Sequence, residues 1–294
     1  MIIKKIAKAI CEIPKFFVRT RQPRIIMTLL VKNEEAIIRQ NLEFHKKMGI
    51  DGFVVTDNNS SDQTMAILKE YQQKGWILEI IEETSSGYHQ KMWVDRMVCL
   101  AKDKYKADWV INADADEFWY AQSGALKNEL EQTNANVLRC ICHNMYPEEG
   151  KDFMQWGQYV LPVTNLEEYD LSPHAIYNKL TIKVAHRAAG YLQISMGNHK
   201  VKMLPQRTKT SQDIIIYHYP IRGQQQFVDK MVQGGKELSN NPQKHGGRHW
   251  RYFYNLYKEN KLNEEYFRVI GQNSYDRLRT DGYIRDCKPL KDLM

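Results

Sequence analysis

The stretch WVINADADEF, residues 109–118, begins with an apolar run that is typical of a buried strand and continues directly into closely spaced acids. Asp114 and Asp116 stand one residue apart, directly after the apolar run. Two carboxylates this close repel each other, and strand pairing can satisfy neither, so a cation is needed to neutralise them. Hard oxygen ligands in a short turn suit Mn²⁺ or Mg²⁺, which keep open positions for phosphate oxygens. The stretch therefore predicts a divalent-cation site at the end of a strand. The alternative is a solvated helix N-terminus whose dipole Asp116 or Glu117 stabilises.

Strands and helices alternate in the residues that precede this stretch. Ile25–Val31 is a continuous apolar and β-branched run, typical of a strand that is covered on both faces. Further strands are predicted at 53–56, 76–81 and 109–112, and helices with one apolar stripe lie between them. The alternation predicts an α/β fold with a parallel, doubly wound sheet.

The alternation fades beyond residue 120. Strands are predicted at 137–141, 180–184 and 213–217, and the sequence from 222 onward is helical and rich in aromatic residues. We therefore expect four segments along the chain. They are a basic amphipathic segment (1–23), a nucleotide-binding half (24–120), an acceptor-side half of the same domain (121–240) and a helical, aromatic-rich tail (241–294).

Polar clusters occupy residues 32–34, 57–62 and 112–117, where three of the predicted strands end. In an open parallel sheet, ligands bind beyond the carboxyl ends of the strands, so these clusters should converge in one crevice. Asp57 and Asn58 stand at the end of the second strand, where a carboxylate or amide can contact a base edge or a ribose hydroxyl. The alternative is structural, because Asp, Asn and Ser are common helix caps.

The basic charge is concentrated at the N-terminus. The net charge is +7, and residues 1–24 carry seven basic side chains against Glu12, which accounts for +6. A general nucleic-acid-binding face is therefore excluded. Residues 1–22 intersperse isoleucines with lysines and arginines, as a helix lying on an anionic membrane surface does. The alternative is a helix that packs on the folded domain or mediates homo-oligomer contacts.

Cysteine usage and hydropathy indicate the compartment. The five cysteines are an odd number, no secretory signal is recognised, and no apolar run approaches the roughly 18 residues that span a bilayer. We therefore expect a cytoplasmic protein that is peripheral on the inner face of the cytoplasmic membrane.

Three segments together resemble the donor half of family-2-type glycosyltransferases with the GT-A fold. They are TLLVKNEE (28–35), DNNSSDQT (57–64) and WVINADADEF (109–118). The Asp-Ala-Asp-Glu-Phe form, with Gln90 opening the preceding helix, is most similar to the branch that also resembles family 92. The segment HYPIR (218–222) resembles the same branch. The resemblance is strong over 24–120, and it implies a GT-A type nucleotide-binding, doubly wound mixed sheet with a C-terminal helical, acceptor-side extension.

The resemblance implies a set of donor-binding residues. Either Leu29 or Leu30, together with Asn33 and Glu34, would flank a uracil ring, Asp57 or Asn58 would bind base or ribose, Gln90 would belong to the same set, and Asp114 would contact ribose or a metal-bound water.

The resemblance also implies a metal site. Asp116 would ligate Mn²⁺ or Mg²⁺ directly, with Asp114 beside it. Enzymes with this fold often add a late histidine to the cation. His218 fits that role, and His199 competes with it.

The catalytic base is sought among the acids of the acceptor half. An inverting displacement needs a carboxylate to deprotonate the acceptor hydroxyl, and no Asp or Glu occurs between Leu171 and Gln212. The base is therefore expected in the loop 148–152, although such a loop is usually only solvated. The candidates are Glu149, Asp152 and Glu148, with Glu167, Glu168 and Asp170 as second choices.

The predicted function is a metal-dependent, non-processive transfer of a hexose from a UDP-linked nucleotide sugar to a glycan or glycolipid, such as a bacterial surface polysaccharide. Inversion is implied by the resemblance alone. The sequence contains neither the Gln-x-x-Arg-Trp motif nor the row of membrane helices that are typical of the processive enzymes, so a non-processive transfer is expected. Two alternatives are a nucleotidyltransferase of similar fold, although residues 32–35 lack its Gly-rich loop, and a non-catalytic carbohydrate-binding protein at a membrane surface.

Overall fold

The structure, a computed structural model, describes residues 2–16, 21–84, 89–239 and 247–294. The chain forms two compact units, Met1–Cys142 with Thr181–Tyr217 and His143–Leu180 with His218–Met294. The predicted functional halves use other boundaries and stay a prediction. The helices are α1 Ile2–Cys11, α2 Ile13–Phe16, α3 Ile38–Lys47, α4 Thr64–Gln73, α5 Gln90–Asp103, α6 Leu126–Gln132, α7 Gln224–Ser239, α8 Arg248–Lys258, α9 Leu262–Ile270 and α10 Tyr275–Thr280. The strands are β1 Ile25–Val31, β2 Gly52–Asp57, β3 Ile77–Glu82, β4 Trp109–Ala113, β5 Glu117–Ala121, β6 Val137–Met145, β7 Gln158–Val160, β8 Thr181–Arg187, β9 Tyr191–Ile194, β10 Val201–Met203, β11 Thr208–His218 and β12 Ile284–Asp286.

The first unit is built around β1, whose apolar side chains are almost completely buried. β1 pairs in parallel with β2 on one side and with β4 on the other, and β3 extends the sheet in parallel beyond β2. β8 runs antiparallel to β4, and residues 137–142 of β6 run antiparallel to β8. The predicted α/β class with a mixed sheet is confirmed. The first four predicted strands lie within one residue of their observed bounds.

The strand β5 follows the acidic turn directly and was not predicted. It pairs with β11, and the Gln122 backbone N–H donates to the Asp213 carbonyl at 2.9 Å. Glu117 is the first residue of this strand. The alternative that Asp116 or Glu117 opens a helix is therefore wrong.

Two buried polar side chains on α3 hold β5 in place. The Asn41 side-chain amide donates to the carbonyls of Ala115 and Glu117, at 2.9 and 3.0 Å. One turn later, His45 Nε2 accepts the Trp119 backbone N–H at 3.0 Å, so its proton is on Nδ1, which donates to the Asn41 carbonyl at 2.8 Å. Residues four apart lie on the same face of a helix, which is how one helix satisfies backbone groups both in the turn and in β5 after it.

The second unit packs its helices around one apolar core. β7 pairs antiparallel with residues 144–145 of β6 and with β12. The helices α7 and α8 approach closely where Gly234 faces Trp250, since a Cβ on Gly234 would lie 1.6 Å from the indole ring. The helical tail expected from the aromatic residues is observed as α7 to α10, whereas β7 and β12 were not predicted.

The helix α1 packs against the first unit through its polar side. Lys5 pairs with Asp95 at 2.6 Å, Ala9 is fully buried, and Glu12, the residue that follows α1, pairs with Lys102 at 2.6 Å. The opposite side carries Ile3, Ile6 and Ile10, which are 78%, 39% and 53% exposed. The packed-helix alternative therefore describes one side of α1, and membrane contact stays a prediction for the other. Over the ranges that the structure describes, no helix is both long enough and apolar enough to cross a bilayer.

Burial of His45 makes the stability of the first unit depend on pH. Burial lowers the pKa of His45 from 6.5 to about 3, although the hydrogen bond to Asn41 opposes this effect. The unfolded chain takes up the proton first as pH falls, so stability is complete above pH 6.5 and is lost between pH 6.5 and 3.

We expect His45→Gln to remove this dependence. The free energy of unfolding of the wild type minus that of His45→Gln should fall by up to about 1.4 kcal/mol for each pH unit below pH 6.5. Urea unfolding of both proteins between pH 7.5 and 4.5 measures the difference. His186, whose pKa burial also lowers, to about 4, is present in both proteins and cancels. A difference that stays constant over this range would contradict the assignment.

Candidate active site

The acidic turn between β4 and β5 brings three carboxylates together. The side chain of Asp114 is 34% exposed, while Asp116 is 6% exposed and Glu117 is fully buried. Glu117 folds back on the turn, and its Oε2 accepts the Asp114 backbone N–H at 3.3 Å. The turn thus holds one carboxylate at the surface and buries two behind it.

Lys183, which the sequence analysis did not single out, neutralises part of this charge. It lies on β8 and is 4% exposed. Its Nζ is 2.7 Å from Asp114 Oδ2 and 2.6 Å from Glu117 Oε1. A lysine within the predicted strand 180–184 is the signal that could have revealed it, because a buried ammonium needs a carboxylate partner.

These contacts determine the charge of the buried groups. Burial raises the pKa of Glu117, and Asp114 adds to this effect while Lys183 opposes it. Burial by itself would lower the pKa of Lys183, but the attraction of Asp114 and Glu117 outweighs it and raises that pKa. Lys183 therefore stays protonated at neutral pH.

A row of buried polar side chains crosses the sheet below the turn. Thr28 on β1 donates to Asn112 Oδ1 at 2.7 Å, and the amide of Asn112 lies 3.2 Å from His186 Nε2 on β8. His186 Nδ1 donates to the Arg187 carbonyl at 2.9 Å, which leaves Nε2 as an acceptor for the Asn112 amide. These hydrogen bonds fix the last polar residue of β4 before the acids begin.

The loops after β1 and β2 are joined by hydrogen bonds, as their predicted convergence requires. The Asn33 N–H donates to Ser60 Oγ at 3.0 Å, and the Ser61 N–H returns a bond to Asn33 Oδ1 at 2.8 Å. The Glu34 N–H donates to Thr64 Oγ1 at 2.8 Å. The acidic turn begins at the same edge of the sheet, because β1 pairs in parallel with both β2 and β4.

The other donor-side residues have structural contacts of their own. Asp57 is buried and accepts hydrogen bonds from the backbone N–H and the hydroxyl of Ser60, the first at 3.0 Å. These bonds stabilise the loop and do not cap α4, whose N-cap is Gln63 with no side-chain capping hydrogen bond. Asn58 is buried, and half-buried Leu30 packs on the apolar cluster that includes α5. Gln90 Oε1 accepts the Gly197 N–H at 3.2 Å. Their roles in nucleotide binding stay predictions.

The two candidate histidines lie in different units. His218 belongs to the second unit, where its Nδ1 lies 2.7 Å from Asn144 Oδ1. His199 belongs to the first unit, and its Nδ1 donates to the Ile182 carbonyl at 2.8 Å. A metal-binding role stays a prediction for both.

The candidate bases lie in a loop of the second unit. Glu148 pairs with Lys151, and it also accepts the Gly157 backbone N–H. Asp152 Oδ1 accepts the Met154 N–H at 2.9 Å and so caps a short 3₁₀ helix. Glu149 is exposed. Glu148 and Asp152 therefore stabilise the conformation of the loop.

The donor set of the turn was compared with the needs of a divalent cation. In the part of the chain that the structure describes, no group of three or more His, Cys, Asp or Glu side chains is arranged to hold a metal ion. Mg²⁺ and similar cations commonly bind through one or two carboxylates together with substrate phosphates. Asp116 and Asp114 are the two carboxylates of the turn that this second mode would use, with the nucleotide supplying the remaining ligands, and metal binding by them stays a prediction.

Comparison with solved structures returned similar chains at low sequence identity. TarS residues 1–349 from S. aureus has 17% identity and a TM-score of 0.41, covering 88% of this chain and 74% of that one. The mannosyltransferase PcManGT from Pyrobaculum calidifontis, solved with GDP-Man and Mn²⁺, has 13% identity and a TM-score of 0.43, covering 95% and 88%. Among curated protein sequences, none matches this chain significantly.

The family is shown by sequence. The family model of glycosyltransferase family 92 matches residues 27–260, which include most of β1, the acidic turn, Lys183 and His218. The match confirms the resemblance drawn from the Asp-Ala-Asp-Glu-Phe segment, and it favours a transferase over a nucleotidyltransferase or a non-catalytic binding protein. The chain belongs to glycosyltransferase family 92 and is a glycosyltransferase.

Proposed function

We propose that this glycosyltransferase moves a single hexose from a UDP-linked nucleotide sugar to a hydroxyl of a glycan or glycolipid, with Mn²⁺ or Mg²⁺ bound at the acidic turn. The observation that carries the proposal is the position of Asp114 and Asp116, directly beyond the carboxyl end of β4 and at the same sheet edge as the loops after β1 and β2. This edge is where open α/β sheets bind nucleotides.

The charges of the turn suit the departure of a nucleoside diphosphate. Breaking the bond between the anomeric carbon and phosphate leaves negative charge on the diphosphate. A divalent cation held by Asp116 and Asp114 would neutralise that charge. Asp57 and Asn58 would orient the nucleoside, and Asn33 and the Ser60 loop would keep that side of the site rigid through their mutual hydrogen bonds.

For the acceptor hydroxyl, we propose Glu149 as the base of an inverting displacement. Its neighbours Glu148 and Asp152 accept backbone hydrogen bonds that shape the loop. Glu149 is exposed, and an exposed carboxylate can accept a proton without breaking the local structure. Asp152 and Glu148 remain the other candidates, and His218 remains a candidate ligand of the cation.

Replacing Asp116 should separate donor binding from folding. We expect Asp116→Asn to weaken UDP binding in the presence of Mn²⁺ by about tenfold or more, since one ligand-bearing charge is lost while the side-chain volume is kept. Calorimetric titration with UDP, with and without Mn²⁺, measures the effect. Asp103→Asn, which removes an exposed carboxylate on α5, is the matched control and should bind like the wild type. Unchanged affinity in Asp116→Asn would remove Asp116 from the metal site.

We also propose that α1 places the enzyme on the inner face of the cytoplasmic membrane. Its exposed isoleucines would enter the headgroup region, and the basic residues of 1–22 would be attracted to anionic lipid. The polar side of α1 is already occupied by Asp95 and Lys102 of α5, so membrane contact would use the isoleucine side.

A triple substitution tests this orientation. Replacing Ile3, Ile6 and Ile10 with Ser should lower partitioning onto vesicles of phosphatidylglycerol by about tenfold, because the apolar surface is lost while the basic charge is kept. Turnover on a soluble acceptor should not change. Leu180→Ser, an exposed apolar residue of the second unit, is the control. If the triple variant binds these vesicles as the wild type does, the isoleucines are not the contact.

A further inference from the structure

We propose that Lys183 is a built-in counter-cation of the acidic turn, which keeps the turn's own affinity for a divalent cation low and makes binding of the cation depend on the nucleotide. This inference deepens the proposed function and rests on it. It concerns a residue that the motif alone does not include.

The position of Lys183 is fixed by the sheet. Within β8 it pairs with Cys140 of β6, in a register that runs from Thr181 to His186. Arg187 of the same strand pairs with Trp109 of β4. The neighbours on both sides therefore fix the backbone of Lys183 beside the turn, and its ion pairs with Asp114 and Glu117 hold the ammonium there.

The surroundings of Lys183 are those of a compensated charge. An ammonium that is 4% exposed is very unfavourable unless carboxylates are within contact distance. Both of its ion pairs, at 2.7 and 2.6 Å, are with the turn, to Asp114 and Glu117. The lysine therefore joins the partly exposed first acid to the fully buried last one.

This arrangement reduces what the turn offers to a divalent cation. Asp114 and Asp116 carry two formal negative charges, and the ammonium of Lys183, which contacts Asp114 directly, offsets one of them. The ammonium also repels a second cation and engages Asp114 Oδ2. A nucleoside diphosphate brings its own negative charge and oxygen ligands, and would restore the attraction that Lys183 removes.

The test measures Mn²⁺ binding to the full chain without nucleotide, by the electron paramagnetic resonance signal of free Mn²⁺. We expect Lys183→Met, which removes the charge and nearly keeps the volume, to bind Mn²⁺ at least about tenfold more tightly than the wild type. Thermal unfolding gives a second readout. Mn²⁺ should raise the melting temperature of Lys183→Met more than that of the wild type, since it would replace the missing counter-charge.

Control variants separate charge from packing. Lys183→Arg keeps the charge and should bind Mn²⁺ within about twofold of the wild type. Glu117→Gln keeps the shape of the buried acid that Lys183 contacts and is the reference for a double variant. The double variant Lys183→Met/Glu117→Gln removes the lysine without leaving a buried carboxyl beside an apolar side chain, and it should bind Mn²⁺ more tightly than Glu117→Gln. It also provides a measurement if Lys183→Met alone does not fold.

Two outcomes would overturn the inference. One is a Lys183→Met protein, or its double variant relative to Glu117→Gln, that binds Mn²⁺ no more tightly. The other is a Lys183→Arg protein that gains affinity as much as Lys183→Met does. UDP titration of the wild type in Mn²⁺ distinguishes this result from failure of the proposed function. If UDP binds but the Mn²⁺ series shows no change, only the role of Lys183 is wrong, whereas absence of UDP binding counts against the proposed function.

Discussion

The ammonium of Lys183 and the carboxylates after β4 must be buried together, because neither charge is tolerable alone in the interior. This requirement links two parts of the chain that are 69 residues apart. It is met by an antiparallel strand, β8, placed beside the parallel strand β4. The antiparallel strand β8 is therefore part of the site, because it carries the lysine that contacts the turn.

The backbone of the turn is held from the other direction by α3. Asn41 binds the carbonyls of Ala115 and Glu117, and His45 binds the N–H of Trp119. These bonds hold the backbone of the turn and of the first residues of β5. The side-chain charges are thus balanced from β8, while the main chain is fixed from α3. A rigid turn of this kind can present carboxylates to a ligand without losing conformational entropy when the ligand binds.

Much of the first unit could be predicted from sequence because its signals are local. The run Ile25–Val31 is apolar apart from the β-branched Thr28, and the strand at 109–112 is bounded by charge on both sides, so each was recognised within one residue. The convergence of the loops after β1 and β2 followed from parallel pairing alone, and the hydrogen bonds of Asn33 confirm it.

The parts that were missed depend on partners far away in the chain. The segment from Glu117 to Ala121 gave no strand prediction of its own, and it becomes β5 because β11 and α3 supply its hydrogen bonds. Lys183 was not singled out, because its role depends on acids that precede it by 66 and 69 residues. The helix α1 shows the same limit in another form. Its amphipathic pattern identified two unlike faces, but the pattern could not show that the polar face would be the one to pack. That choice follows from the charges of Asp95 and Lys102 on α5, which can pair with Lys5 and Glu12 only if the isoleucines point outward.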